Sequence, residues 1–239
     1  MNKSFLFVFL IVVIYSGCKK ADSVFSGAKV HVLTNFVGGY IDTYTYNAND
    51  GRVSVIDHNT GDKTIYTYSG DTVLMQYIIG GTVTSSATKY ILNGQYADTS
   101  VGLYQAQHIA TKYSFDGNGQ LTEQKNYSYG NLASTVNYTL TNKDATCVTT
   151  TNASNGTHTS VYYSYSTNSN SIGNQDFGMP FLGEGNVHLP TTKVLIGVNN
   201  DTTNIITYKY RYNTSSFVDT LVSYDRSGTL VDSIAYTYY

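Results

Sequence analysis

The segment Ile205-Ile206-Thr207-Tyr208-Lys209-Tyr210-Arg211-Tyr212 decides the fold class. Ile206, Tyr208, Tyr210 and Tyr212 fall on one face, and Ile205, Thr207, Lys209 and Arg211 fall on the other. The end of the chain repeats the pattern. Leu230, Ile234, Tyr236 and Tyr238 face one way, while Val231, Ser233, Ala235 and Thr237 face the other. A period of two marks strands that lie between two different environments. From Tyr40 onwards this alternation runs almost without a break, and no stretch carries a 3.6-residue period.

Turn signals punctuate the runs. Asn49-Asp50-Gly51, Asn59-Thr60-Gly61, Ser69-Gly70-Asp71, Gly117-Asn118-Gly119, Tyr129-Gly130-Asn131 and Arg226-Ser227-Gly228 all supply residues that accept positive φ. Their spacing is close to one strand plus one turn. It predicts an all-β chain, a long antiparallel up-and-down meander of about 12 to 15 strands. A degenerate unit recurs at Tyr44–Val53, Tyr113–Leu121 and Tyr224–Leu230: aromatic strand end, Asp or Asn turn, Gly, apolar strand start. Each unit reads as a hairpin tip whose carboxylate or amide bonds to turn N–H groups. One or two carboxylates per unit are too few for calcium.

Composition narrows the function classes. Only 13% of the 239 residues are charged, against about 25% in an ordinary domain. There are 24 tyrosines, two prolines, no tryptophan and a net charge of −2. Glu is confined to Glu123 and Glu184. Helix formers are scarce and sheet formers abundant, which excludes a helical bundle and a helix-layered α/β enzyme. Without a net basic balance, no nucleic-acid partner is expected. Hydrophobic residues at 41% exclude a disordered chain.

The N-terminus speaks to location. Lys3 precedes the ten-residue apolar run Phe5 to Ile14, followed by Tyr15-Ser16-Gly17-Cys18. Such a run is a signal-peptide core and too short for a membrane span. Small residues before a cysteine resemble a bacterial lipobox, which assigns residues 1–17 to a lipoprotein signal peptide and lipidation to Cys18. Acyl chains bury about 0.8 kcal/mol per CH₂ and anchor the chain to the membrane. Loss of Lys3 leaves 13 basic against 16 acidic residues. Residues 18–38 read as a tether and 39–239 as a single all-β domain. With Cys18 acylated, Cys147 has no partner for a disulfide and reads as a small core residue on an alternating strand.

One segment breaks the alternation. Thr167 to Pro190 holds both prolines, Glu184 and the run Phe177-Gly178-Met179-Pro180-Phe181-Leu182. It is too apolar to lie in water, so it is expected to fold back over one end or face of the sheet as a covering loop. Its candidate residues are Phe177, Met179, Phe181, Glu184 and His188.

Together, the lipobox, the tyrosine-rich hairpins with Asp/Asn-x-x-Gly tips, the Phe177–Leu182 segment, Gly185-Asn186-Val187-His188-Leu189-Pro190 and the closing Tyr236-Thr237-Tyr238-Tyr239 resemble a family. It is the uncharacterised Bacteroidota lipoprotein domain described as having a porin-like fold. The resemblance spans about residues 35–239. The tips alone are also similar to YD (Rhs-type) repeats. What the resemblance implies is a meander that curls into a barrel or part-barrel, with no activity and no motif residues to carry over.

Chemistry is sparse. His31, His58, His108, His158 and His188 show no metal-ligand spacing, and no hydrolase or phosphate-loop motif occurs. No cofactor and no enzymatic activity are expected. Most of the fourteen aspartates sit at turns. The expectation is a lipid-anchored protein of the cell envelope, at the outer membrane, acting as a non-catalytic binding or structural module. Its partners would be the membrane through its anchor and a glycan or envelope protein. The alternative is a glycan-binding accessory using tyrosine platforms, with Tyr208, Tyr210, Tyr212, Tyr236 and Tyr238 as the ligand-facing candidates. The further alternative is an outer-membrane pore. Against it, the register of terminal Tyr239 holds Thr237, Ala235 and Ser233 where such barrels carry apolar residues.

Overall fold

The computed structural model describes residues 28–103, 108–172 and 179–239. Cys18, with the signal peptide, and Phe177 lie outside the described residues.

Sixteen strands follow one another. They are β1 (Val30–Asn35), β2 (Tyr40–Tyr46), β3 (Val53–His58), β4 (Lys63–Ser69), β5 (Thr72–Ile79), β6 (Thr82–Asn93), β7 (Tyr96–Gly102) and β8 (Ile109–Phe115). Then come β9 (Leu121–Ser128), β10 (Asn131–Thr141), β11 (Asp144–Asn152), β12 (His158–Ser169), β13 (His188–Ile196), β14 (Thr202–Tyr212), β15 (Val218–Tyr224) and β16 (Leu230–Tyr238). Every neighbour in sequence is an antiparallel neighbour in space. β1 also pairs with β16, through Leu33 opposite Tyr236 and Asn35 opposite Ile234, so the meander closes into a barrel. Closure leaves no unpaired sheet edge. The one helical piece among the described residues is a 3₁₀ turn at Pro180–Leu182.

The barrel begins before residue 39. β1 lies inside the stretch read as tether, which carries the strand count just past the range that turn spacing suggests. Val30-His31-Val32-Leu33 is apolar enough to build a strand, but the turn beyond it (Phe36 to Gly39) lacks the polar turn chemistry seen elsewhere. The non-alternating segment is shorter than it reads. β12 runs on to Ser169 and β13 starts at His188.

The hairpin tips behave as their sequence predicts. Asp225 Oδ1 accepts the amides of Ser227 and Thr229 at 2.9 Å each. Asp116 Oδ1 does the same for Asn118 and Gln120, again at 2.9 Å. These bonds favour the charged form. Asp116 is held below the usual carboxylate range by the Gln120 amide, and Asp225 by the Ser227 hydroxyl. Cys147 departs from expectation. It pairs with Tyr162, which is 50% exposed on the outer wall, so it lies half-buried outside the core.

Candidate functional site

Even-numbered strands all run toward one end of the barrel, and each ends in the same way. Tyr44, Tyr66, Tyr90, Tyr113, Tyr138, Tyr163, Tyr208 and Tyr236 occupy equivalent places on the eight even strands. Two residues further on stand Tyr46, Tyr68, Leu92, Phe115, Leu140, Tyr165, Tyr210 and Tyr238. A spacing of two keeps both members of each doublet on one face. That face is the interior: Tyr44, Tyr66 and Tyr236 belong to the buried core, with Tyr46, Tyr68, Tyr90, Tyr113, Tyr210 and Tyr238 packed against it.

The lower ring is tied to the backbone. Tyr46 donates its hydroxyl proton to Val30 O (2.7 Å), Tyr68 to Val53 O (2.9 Å) and Tyr165 to Ala145 O (2.8 Å). Tyr210 donates to Pro190 O (2.6 Å) and Tyr238 to Val218 O (2.5 Å). Each acceptor lies near the start of the preceding odd strand, so each bond stitches one hairpin to the one before. Val30, Val53, Val73, Leu189 and Val218 fill the space between the phenols and are fully buried. At this same level the ladders are bulged, for example between Thr45 and Tyr46, Ile91 and Leu92, Thr139 and Leu140, and Arg211 and Tyr212. Bulges add twist and curve the strands inward.

The covering segment plugs this end. Phe181 is 2% exposed and lies 4.9 Å, centroid to centroid, from Tyr90 and 6.3 Å from Tyr68. Met179 and Leu182 pack beside it. Gly183 takes φ +100, and a Cβ there would meet Phe115 at 2.8 Å and Gly119 O at 2.9 Å. The Glu184 amide donates to Gly119 O at 2.9 Å, and its carboxylate meets the Tyr96 hydroxyl. Asp144, buried, accepts from the His188 amide at 2.9 Å and faces His188 Nδ1 at 2.7 Å. Thus Met179, Phe181, Glu184 and His188 all serve the plug.

The other half of the interior is polar and wet. Tyr40 and Tyr77 point inward yet remain 41% and 38% exposed. The Tyr40 hydroxyl accepts from Asn35 Nδ2 (3.2 Å), which also donates to Asp232 Oδ1 (2.7 Å). His58 Nδ1 lies 2.6 Å from Asp42 Oδ1, and Nε2 lies 3.1 Å from the Thr64 hydroxyl. This carboxylate–imidazole–hydroxyl line has the order of a nucleophilic triad. However, Thr64 is a buried secondary alcohol, and β4 is hydrogen-bonded to neighbours on both sides. The line ties β2, β3 and β4 together on the inner face.

Of the sequence candidates, Tyr208, Tyr210, Tyr236 and Tyr238 line the interior and Tyr212 sits at the plugged rim, 41% exposed. The hydroxyls of Tyr210 and Tyr238 are committed to carbonyls. Burial pushes the phenols of Tyr66, Tyr208 and Tyr236 up to about 12. Asn35, Asp42, His58 and Asp232 escape a sequence reading. The signal that finds two of them is register: Asp42 and His58 are direct cross-strand partners.

The outer wall is of a different kind. Thr207, Lys209 and Arg211 face outward on β14, and Lys112 and Lys125 stand midway along β8 and β9, cross-strand from each other. Lys63 pairs with Asp57 at 2.6 Å, Lys125 with Glu123 at 2.8 Å and Arg211 with Asp219 at 2.9 Å. Exposed apolar side chains stand at the far rim, among them Phe36, Ile79, Val83, Leu103, Tyr129 and Leu230, and on the wall itself at Ile91 and Tyr162.

No family model matches the chain, and no curated protein matches it either. Among solved structures it is similar to a porin-like protein from Bacteroides uniformis, with a TM-score of 0.66 and 16% identity over 89% of this chain and 96% of that one. It is also similar to a porin-like protein from Bacteroides vulgatus, with a TM-score of 0.62 and 16% identity over 88% of this chain and 99% of that one. At this identity the likeness shows the fold: a closed, many-stranded antiparallel barrel.

Proposed function

We propose that the protein is a lipid-anchored, water-facing barrel of the cell envelope whose lumen binds a hydrophilic ligand without transforming it. The observation that carries this reading is the polarity of the wall. A barrel that spans a lipid bilayer turns an apolar band outward and a polar lumen inward. Here lysines stand midway along the outer face of β8 and β9, a wall that also carries Tyr127 and Tyr162, while the tyrosine doublets of the even strands line the inside. A lysine at the midplane of a bilayer costs about 2–4 kcal/mol, and this wall carries several cations. The pore is the alternative that this wall weighs against.

Topology supports an orientation. β1 starts at the plugged end, with Val30 buried there. Twelve chain steps separate Cys18 from Val30. Extended, they span at most ~42 Å. An acyl anchor on Cys18 then holds the plugged end toward the membrane and turns the far end, with Tyr40 and Tyr77 exposed inside it, outward.

Cell fractionation of the parent and of residues 19–239 exported behind a cleavable non-lipoprotein signal tests the proposal. The parent is expected in the detergent-extracted membrane fraction, and the unacylated chain in the soluble fraction, folded, with no detergent. An unacylated chain that still needs detergent would contradict the water-facing wall.

A further inference from the structure

One arc of the inner wall, from β16 through β1 to β4, carries two carboxylates, Asp42 and Asp232, within hydrogen-bonded networks. Asn35 is buried and stretches its amide between Asp232 Oδ1 and the Tyr40 hydroxyl, while its own carbonyl accepts the Gly38 amide at 2.5 Å. On the neighbouring strands Asp42 is bound to His58, and His58 to Thr64. Tyr236 stands on the same inner face, within electrostatic reach of Asp232 and Tyr40. Side chains on the inside of a sheet are normally apolar, because an unmatched polar group there costs free energy. At the plugged end valines fill the strand starts, and buried Asp144 is matched by His188. Along this arc the apolar rule is broken six times, in two hydrogen-bonded trios: Asn35, Tyr40 and Asp232, and Asp42, His58 and Thr64.

Charge and hydrogen-bonding capacity select the ligand class. Asp42 and Asp232 face inward along the arc. The cations on these strands do not: Lys63 bonds to Asp57 outside, and Arg52 lies over the Tyr68 ring in the turn at the plugged end. An anion would meet two carboxylates with nothing to offset them. A simple cation would suit the carboxylates but leave the phenol donors of Tyr40 and Tyr236 unmatched. A neutral polyhydroxyl ligand both donates and accepts at every group. Its hydroxyls give protons to the carboxylates and take them from the phenols. Its C–H faces pack on the rings of Tyr40 and Tyr236. A 16-strand barrel is wide enough to admit a chain of sugar rings, where an eight-strand one holds a single small ligand.

We infer that Asn35, Tyr40, Asp42, His58, Asp232 and Tyr236 form a binding site for a neutral oligosaccharide that enters from the far end. The inference rests on the reading of the lumen as a binding chamber. Asp42 and Asp232 accept the sugar hydroxyls, Asn35 and His58 fix the carboxylates, and the two tyrosines supply the ring contacts.

The test is calorimetric titration of the full acylated chain in mild detergent. Ligands are maltohexaose, xylohexaose, chitohexaose and a broad neutral glycan array, with tetraethylammonium and inorganic phosphate as controls. A neutral oligosaccharide is expected to bind, with affinity reduced tenfold or more in Asp42→Asn and in Asp232→Asn. The rim variant Tyr40→Ser, whose residue is largely exposed, is expected to fold normally and lose a similar amount. Lys209→Ala on the outer wall is expected to bind like the parent. Absence of binding to every neutral sugar overturns the inference, as does binding that none of the three inner-wall variants weakens. Tetraethylammonium bound instead of sugar, and weakened by Asp232→Asn, overturns the sugar assignment but keeps the chamber. A sugar lost only in Tyr162→Ala, on the outer wall, overturns both.

Discussion

The two ends of the barrel use tyrosine in opposite ways. At the plugged end Tyr46, Tyr68, Tyr165, Tyr210 and Tyr238 pass their hydroxyl protons to backbone carbonyls, and their rings press on buried valines and Phe181. Toward the far end Tyr40 and Tyr77 keep more than a third of their surface in water. A phenol serves both purposes because it has a large apolar body and one polar tip. Where the tip finds a carbonyl, the residue is structural. Where the tip meets water, Asn35 or a carboxylate, it is available to a ligand. The difference between the ends is thus a difference in what the hydroxyls touch.

The largest expected break in this contrast comes from the plug. Phe181→Ala removes a ring that is 2% exposed and is expected to cost about 3–5 kcal/mol of stability. Tyr77→Ala, at the wet end, is expected to cost far less. Urea unfolding measures both, and limited proteolysis adds a local readout. The stretch from Met179 to Leu189 is expected to resist cleavage in the parent and to be cut rapidly in Phe181→Ala. Equal costs at the two positions would erase the distinction.

Alkali probes the buried phenols together. Tyr66, Tyr208 and Tyr236 titrate at about 12 in the folded chain because burial disfavours the phenolate. A free phenol titrates at about 10. The folded values are the higher ones, so their contribution is complete below pH ~10 and is lost as pH rises toward 12. Absorbance at 295 nm is expected to show an exposed class of tyrosines ionising near 10 and a second class ionising only with unfolding. A single smooth titration near 10 would contradict a buried ring.

A smaller effect separates the hydroxyls themselves. Tyr238→Phe and Tyr210→Phe each leave a carbonyl without its donor and are expected to cost about 0.5–1.5 kcal/mol. The conservative change Lys125→Ala on the outer wall is expected to stay within about 0.5 kcal/mol. Chemical denaturation of the three variants beside the parent sharpens the comparison to single groups.

Much of this arrangement was readable in the chain, and the reason is local. The alternation of Ile206, Tyr208, Tyr210 and Tyr212 states which side chains share a face, and Asp225 or Asp116 with a following glycine states where the strand turns. The unusual composition of Thr167 to Pro190 singles out the plug. What alternation does not carry is register across strands. A bulge beside the lower ring slips the pairing by one residue in most of the hairpins, for example between Ser114 and Phe115. His58 therefore meets Asp42 across a turn, and Asp144 meets His188 across a whole strand and the covering segment, 44 positions apart. Closure is a further step, because Leu33 finds Tyr236 only when all sixteen strands are in place. The first strand was hidden for a related reason: its value as a strand lies in joining β16 to β2.

The central claim is that this barrel has its aromatic face inside and its wet face outside. The direct measurement is sedimentation of the chain from residue 18 onward, carrying Cys18→Ala, in buffer without detergent. The account predicts a soluble folded monomer with strong β-sheet circular dichroism and no conductance when added to lipid bilayers. A chain that precipitates without detergent, or that opens stepwise ion currents across a bilayer, would contradict it.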